Sequence, residues 1–213
     1  MTLAALRVVA ITDRRLMVPA DLLAGGDWPA IARAFGLAIQ RALDGCPPDS
    51  VLIQLREKDL DGGALFQLAR AAQPFAPLLI NDRLDVALAA EATGIHLPER
   101  GLPVDVVRAL APSLVIGVSR HAPAADDTGA DLVHLGPIWS TPSKPDVPAL
   151  GERALAGPRG PAPVVAVGGI DSPARAPRAA AAGASAVAVI RAAWTGASLA
   201  PFVAAVSAGL VRS

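Results

Sequence analysis

Short runs of consecutive apolar residues alternate, from one end of the chain to the other, with Ala-rich stretches whose apolar positions repeat at helical spacing. The runs Val8–Thr12, Val51–Leu55, Pro77–Ile80, Gly94–Leu97, Leu114–Val118, Asp131–Leu135, Pro163–Val167 and Ala186–Ile190 are strand candidates. Each is hydrophobic almost throughout, rather than at every second position, as expected of a parallel strand buried on both faces. The stretches between them predict helices over Asp27–Leu43, Gly62–Gln73, Arg83–Ala92, Val104–Leu110, Pro123–Thr128, Glu152–Leu155 and Ser172–Ala182, with Ser198–Ala208 after the last strand. Gly94, Gly129 and Gly183 stand just past helices, where a left-handed C-cap is wanted. Strand-then-helix units repeated in this way specify an α/β fold, a small (β/α)8 TIM barrel occupying 1–213 as one domain. A doubly wound open sheet is the competing architecture. Gly136–Gly151 is the longest connection without clear periodicity, and long loops in compact domains are often functional.

Composition narrows the picture. The 213 residues are 53% hydrophobic and 18% charged, with 19 basic against 19 acidic side chains. Zero net charge without a block of like charges argues against nucleic acid or an anionic membrane as a partner. The mean hydropathy is +0.45, yet every long apolar run is broken before the ~18 residues a membrane span needs. Met1–Ala10 lacks the plan of a signal peptide, so a cytoplasmic protein is expected. Cys46 is alone, which excludes a disulfide framework or a thiolate zinc site. Of the basic residues only Lys58 and Lys144 are lysines. In so Arg-rich a chain they are either chance survivors or positions that need a compact, mobile ammonium.

In such a barrel the active site lies at the C-terminal ends of the strands, so the residues that follow each strand are a functional test. After the second strand, alternation puts Gln54, Arg56 and Lys58 on one side, an amide and two cations at the mouth. After the third come Asn81 and Asp82, where Asp82 either caps the next helix or contributes to a divalent-metal site. His96 on the fourth strand is either a packed barrel histidine or a functional one. Ser119 and His121 close the fifth, and His121 is placed to exchange protons near neutral pH. No neighbouring carboxylate completes a hydrolytic triad with Ser119. Thr141, Ser143 and Lys144 follow the sixth strand, hydroxyls beside an ammonium that suit phosphate oxygens. Gly168, Gly169, Ile190 and Arg191 follow the seventh and eighth, the usual phosphate site of these barrels. His134 reads as barrel interior.

Taken in order, Ile11-Thr-Asp13, Gln54-Leu-Arg56-Glu-Lys58, Ile80-Asn81-Asp82-Arg-Leu-Asp85, Gly94-Ile-His96-Leu97, Gly117-Val-Ser119-Arg-His121, Gly129-Ala-Asp131, Leu135-Gly136-Pro137-Ile138, Thr141-Pro-Ser143-Lys144, Gly168-Gly169-Ile170 and Gly183-Ala184 cover nearly the whole chain. This ordered set resembles the thiamine phosphate synthase and thiazole tautomerase superfamily. The resemblance implies a phosphorylated thiazole as small-molecule partner, and it allows a homo-oligomer. The synthase branch joins a hydroxymethylpyrimidine pyrophosphate to a thiazole phosphate with Mg²⁺, held in part by an Asp at the position where this chain has Gly101. Asp82 matches the other metal Asp, and Glu99 is the nearest substitute for the missing one. The Leu97-Pro-Glu-Arg-Gly101 run and Pro142–Pro148 look closer to the tautomerase branch, the TenI family, which needs no cofactor.

The leading expectation is therefore an isomerase. In it, His121 moves the proton, Arg56 and Lys58 face the carboxylate end of the substrate, and Gln54, Asn81, Ser119 and Lys144 complete the pocket. Thr141, Ser143, Gly168, Gly169, Ile190 and Arg191 anchor the phosphate. The alternatives are the Mg²⁺-dependent synthase, with Asp82 on the metal, and a phosphate-ligand-binding regulator without chemistry.

Overall fold

The structure is a computed structural model that describes residues 3–123, 129–141, 146–157 and 160–211. The strands are β1 (Val8–Ile11), β2 (Val51–Leu55), β3 (Leu78–Asn81), β4 (Gly94–Leu97), β5 (Val115–Arg120), β6 (Leu132–Leu135), β7 (Val164–Val167) and β8 (Ala186–Val189). All neighbours pair in parallel and β8 returns to β1, so the sheet closes into an eight-stranded barrel. The expected barrel is the observed one, and the open sheet is excluded.

Each strand is apolar on both faces because each face is buried in a different place. Val9, Ile11, Leu52, Leu79, Leu132, Val165, Ala186 and Ala188 fill the interior. Val8, Ala10, Ile53, Ile80, Ile95 and Ile116 face outward into the layer under the helices. The helices are α1 (Arg14–Met17), α2 (Ala20–Gly25), α3 (Trp28–Ala42), α4 (Gly62–Ala72), α5 (Leu84–Ala89), α6 (Val104–Leu110), α7 (Ala176–Ala181), α8 (Arg191–Thr195) and α9 (Ala200–Leu210). Asp27 opens α3 by accepting from Ala30 N, and Asp61 opens α4 by accepting from Ala64 N; such a cap stabilises a helix by about 1 kcal/mol. Trp194 of α8 donates its indole N–H to Ile11 O at 2.8 Å, tying the outer layer to the end of β1.

Two local expectations change. Gly94 is not a helix cap but a buried strand residue. A Cβ there would lie 2.0 Å from Val115 O and 2.7 Å from Leu79 Cδ2, so the packed interior demands glycine. The left-handed residue after α5 is Glu91, at φ 53, while Gly129 and Gly183 do have positive φ. The stretch expected as one helix over Ser172–Ala182 is a 3₁₀ turn, Pro173–Arg175, followed by α7, and Pro173 and Pro177 each sit in a first turn where a missing N–H costs nothing. The helix expected over Pro123–Thr128 lies outside the described residues beyond Pro123. Among the described residues no helix is long and apolar enough to cross a membrane.

Two residues further along several strands, the inward side chain changes from apolar or glycine to polar. Leu52 gives way to Gln54, Leu79 to Asn81, Gly94 to His96, Gly117 to Ser119 and Leu132 to His134. The strand period of two thus turns a dry core into a polar floor within one step.

Candidate active site

Above that floor opens a cavity of about 580 Å³, to which the ends of all eight strands contribute. Gln54, His96 and His134 are buried at its base. The two imidazole rings lie 4.3 Å apart at a tilt of 46°, and His96 Nε2 shares a 2.8 Å hydrogen bond with Ser119 Oγ. Burial, then His134 and Arg56, hold His96 well below the usual histidine range. Burial pushes His134 down to about 3. Both rings are therefore neutral at pH 7, and the floor is heteroaromatic but uncharged. Gln54 Nε2, His96 Nδ1 and His134 Nε2 have no hydrogen-bond partner there.

The wall from β1 and β2 is charged. Arg56 and Lys58 are exposed and line the cavity, and among the described residues neither side chain has a hydrogen bond or ion pair. Between them Glu57 is 6% exposed, its carboxylate turned to the exit of β1. Its carboxylate accepts from Thr12 Oγ1 at 2.7 Å, from Arg14 N at 2.9 Å and from Arg14 Nη1 at 3.0 Å. Arg14 also makes a two-pronged pair with Asp59 at 2.7 and 2.8 Å, and Arg15 reaches the same carboxylate at 2.8 Å. The hydrogen bond from Arg14 holds Asp59 down to about 2, whereas burial raises Glu57 above the ordinary carboxylate range. Two arginines and two carboxylates therefore cancel, and Arg56 and Lys58 are exposed cations on this wall.

At the rim between β4 and β5, His121 Nδ1 lies 2.5 Å from Glu99 Oε2, and His121 N donates to Glu99 Oε1 at 3.2 Å. The bond to His121 lowers the Glu99 carboxyl. Asn81, Ser119 and Thr141 also reach the cavity wall. Ser143 and Lys144 lie outside the described residues.

The wall from β7 and β8 carries Val167, Gly168 and Ile190. Gly168 and Gly169 take φ of 95° and 71°. A Cβ on Gly168 would meet Pro137 Cβ at 2.7 Å, and one on Gly169 would meet Trp139 Cβ at 2.6 Å. Glycine is required here both for the left-handed backbone and for the close approach of the β6 loop. Gly169 stands behind the wall, where Arg175 donates to its carbonyl. Arg191 opens α8 at the surface rather than in the cavity wall.

The described residues do not build a protein-held Mg²⁺ site. Asp82 is exposed, at φ 66, outside the cavity wall, and α5 takes no side-chain cap from it. A Cβ on Gly101 would stand 3.2 Å from Asp82 Oδ1, so position 101 does face Asp82, but glycine brings no oxygen. Glu99 is turned to His121 instead. No group of three His, Cys, Asp or Glu suited to a metal occurs among the described residues.

The clasp of Thr12, Arg14, Glu57 and Asp59 was not singled out from the sequence. The signal for half of it is the run Thr12-Asp13-Arg14-Arg15, which follows the first strand as directly as Arg56 and Lys58 follow the second. Glu57 falls on the face that alternation assigns away from the site, and nothing local shows that this face meets β1.

A family model described as thiamine monophosphate synthase matches residues 29–193. A thiamine-phosphate synthase of Roseiflexus sp. (strain RS-1) is 37% identical over 198 residues, covering 87% of this chain and 77% of that protein. One from Methanospirillum hungatei JF-1 is 37% identical over 167 residues, covering 72% and 81%. Among solved structures, a thiamine phosphate pyrophosphorylase from Pyrococcus furiosus superposes with a TM-score of 0.76 at 25% identity, over 99% of this chain and 98% of that one. These relatives carry the names of transferases, which overturns the expectation of an isomerase. Of the stretches that suggested the other branch, Leu97–Gly101 leaves β4 at the rim, where sequence drifts without changing the barrel, and Pro142–Pro148 lies partly outside the described residues.

Proposed function

Because the chain belongs to the thiamine monophosphate synthase family, we propose that it joins a hydroxymethylpyrimidine diphosphate to a thiazole phosphate. The thiazole ring nitrogen forms a bond to the pyrimidine's methylene carbon, the carbon–oxygen bond to the diphosphate breaks, and thiamine phosphate and pyrophosphate leave. The observation that carries this reading is one cavity with two exposed cations after β2 and glycine backbone after β7, above a neutral floor.

Arg56 and Lys58 face the diphosphate and stabilise the charge that develops on it as the bond breaks, the kind of fixed electrostatic help that dominates such steps. Gly168, with Thr141 and Ile190 beside it, receives the thiazole phosphate on the opposite wall. Gln54 and the Ser119–His96 pair lie under the ring that the diphosphate leaves. Magnesium, implied by the resemblance, has no residue assignment in this reading, and the assay supplies it in solution.

The test is thiamine phosphate formation by purified protein given both substrates and Mg²⁺, followed by chromatography with pyrophosphate release in parallel. Equal amounts of the two products are expected. No product under conditions where a known synthase turns over would overturn the reading.

A further inference from the structure

The two exposed cations Arg56 and Lys58 stand on either side of a residue whose carboxylate is taken up by the neighbouring strand exit. Glu57 is buried, and its carboxylate, carried at the exit of β2, accepts from Thr12 and Arg14 at the exit of β1. Thr12 Oγ1 donates to Glu57 Oε1 at 2.7 Å and accepts from Arg56 N at 3.0 Å, so a single hydroxyl links the carboxylate to the backbone of the residue that carries the guanidinium. Thr12 N in turn donates to Gln54 O at 2.9 Å, extending the ladder one step beyond β1. On the far side Arg14 bonds Glu57 and Asp59 together, which brackets Lys58 between two fixed neighbours.

Arg56 and Lys58 have long side chains, and each loses rotamer freedom when it grips a ligand. Fixing their backbones in advance removes part of that cost, and a displacement of about 1 Å at such a group can lower a rate about a hundredfold. We propose that Glu57 is a positioning residue: with Thr12 and Arg14 it clasps the exits of β1 and β2 so that Arg56 and Lys58 are held at the anionic end of the site. The inference rests on the proposed function only for the identity of the anion.

The experiment compares wild type with Glu57→Gln, Thr12→Val, Thr12→Ser and Asp59→Asn. In Glu57→Gln an amide N–H must face either Arg14 or the Thr12 hydroxyl, so one link of the clasp is lost with little change of volume. Thr12→Val removes the hydroxyl and keeps the shape, and Thr12→Ser restores the hydroxyl. Asp59→Asn loosens Arg14 from the exposed side, where folding is least at risk. Inorganic pyrophosphate binding, measured by calorimetry, is expected to weaken about tenfold or more in Glu57→Gln and Thr12→Val, to return near wild type in Thr12→Ser and to fall between in Asp59→Asn.

In turnover, KM for the diphosphate substrate rises by the same factor while KM for the thiazole phosphate stays within about twofold, a split that general loss of packing does not produce. Folded Glu57→Gln and Thr12→Val proteins with wild-type affinity overturn the proposal. So does absence of pyrophosphate binding by the wild type, since Arg56 and Lys58 would then not be an anion site. Weakened pyrophosphate binding in a protein that makes no thiamine phosphate would leave the clasp standing and remove the proposed reaction instead.

Discussion

The two sides of the barrel mouth present different things to the cavity. The β1–β2 side presents side chains, two exposed cations beside a neutralised quartet of two arginines and two carboxylates. The β7–β8 side presents backbone at the left-handed Gly168, and the wall residues Val167, Gly168 and Ile190 bring no charge. The difference matters for what each side costs the fold. A guanidinium at the rim is an appendage whose removal leaves the packing intact. A glycine whose absent Cβ would overlap Pro137 belongs to the packing, so the wall it forms and the stability of the fold cannot be changed separately.

That contrast is broken most directly by Gly168→Ala beside Arg56→Ala. The alanine must adopt φ near 95° and place Cβ 2.7 Å from Pro137 Cβ and 2.8 Å from its Cα, so the β6 and β7 loops have to move apart. Left-handed strain of this kind costs about 1–3 kcal/mol, and the displaced contact adds to it. Urea unfolding is expected to show a loss of about 2–4 kcal/mol together with weaker inorganic phosphate binding. Arg56→Ala should stay within about 0.5 kcal/mol of wild type, as surface substitutions do, yet lose pyrophosphate binding at least tenfold. If Gly168→Ala binds phosphate normally at full stability, the backbone side is not an anion site and the comparison fails.

Legibility in the sequence followed the same division. The strands were readable because burial on both faces leaves unbroken apolar runs, and every strand lies within two residues of its expected span. Gln54, Arg56 and Lys58 were readable as a group because a period of two puts them on one face. Glu57, between them, was not, since its importance comes from Thr12 and Arg14, some 45 residues away in sequence. Arg191 misled for a related reason. Its position after β8 matches the place of a phosphate ligand, but it is the exposed first residue of α8 and does not line the cavity. Gly94 misled because a glycine after a helix and a glycine under a packed side chain look identical in one dimension.

The boundary between the two halves is the histidine floor, and it gives the next prediction. His134 stays neutral in the folded chain down to about pH 3, whereas in the unfolded chain it titrates near 6.5. Between those values the unfolded state binds more protons, so stability is lost as pH falls from 6.5 toward 3, by about 1.4 kcal/mol per pH unit for a fully buried histidine. His96 shifts in the same direction and adds to the slope. His134→Leu removes one of the two contributions together with an unpaired buried nitrogen. Its stability, from urea unfolding at pH 7, 6 and 5, should therefore fall with acid by about 1.4 kcal/mol per pH unit less than that of wild type. Parallel curves would show that the floor is hydrated rather than dry.

The smallest expected effect sharpens the comparison from the side-chain half, by asking whether a charge can be added to it. A Cβ at position 101 would stand 3.2 Å from Asp82 Oδ1, so Gly101→Asp would set two carboxylates against each other at the rim, with Pro98 Cδ, 2.9 Å from that Cβ, forced to give way. Without a divalent cation the pair repels, and the melting temperature should fall by about 2–4 °C, the shift that corresponds to roughly 1 kcal/mol at this chain length. Gly101→Asn carries the same crowding without the charge and isolates the steric part. Millimolar Mg²⁺ supplies the counter-charge that oxygen ligands favour, so it should restore Gly101→Asp while leaving wild type and Gly101→Asn unmoved. A wild-type protein that gains as much from Mg²⁺ as Gly101→Asp would mean that Asp82 already holds the cation with help from elsewhere in the loop. In that case the side-chain half of the mouth contains a carboxylate partner that its described residues do not display.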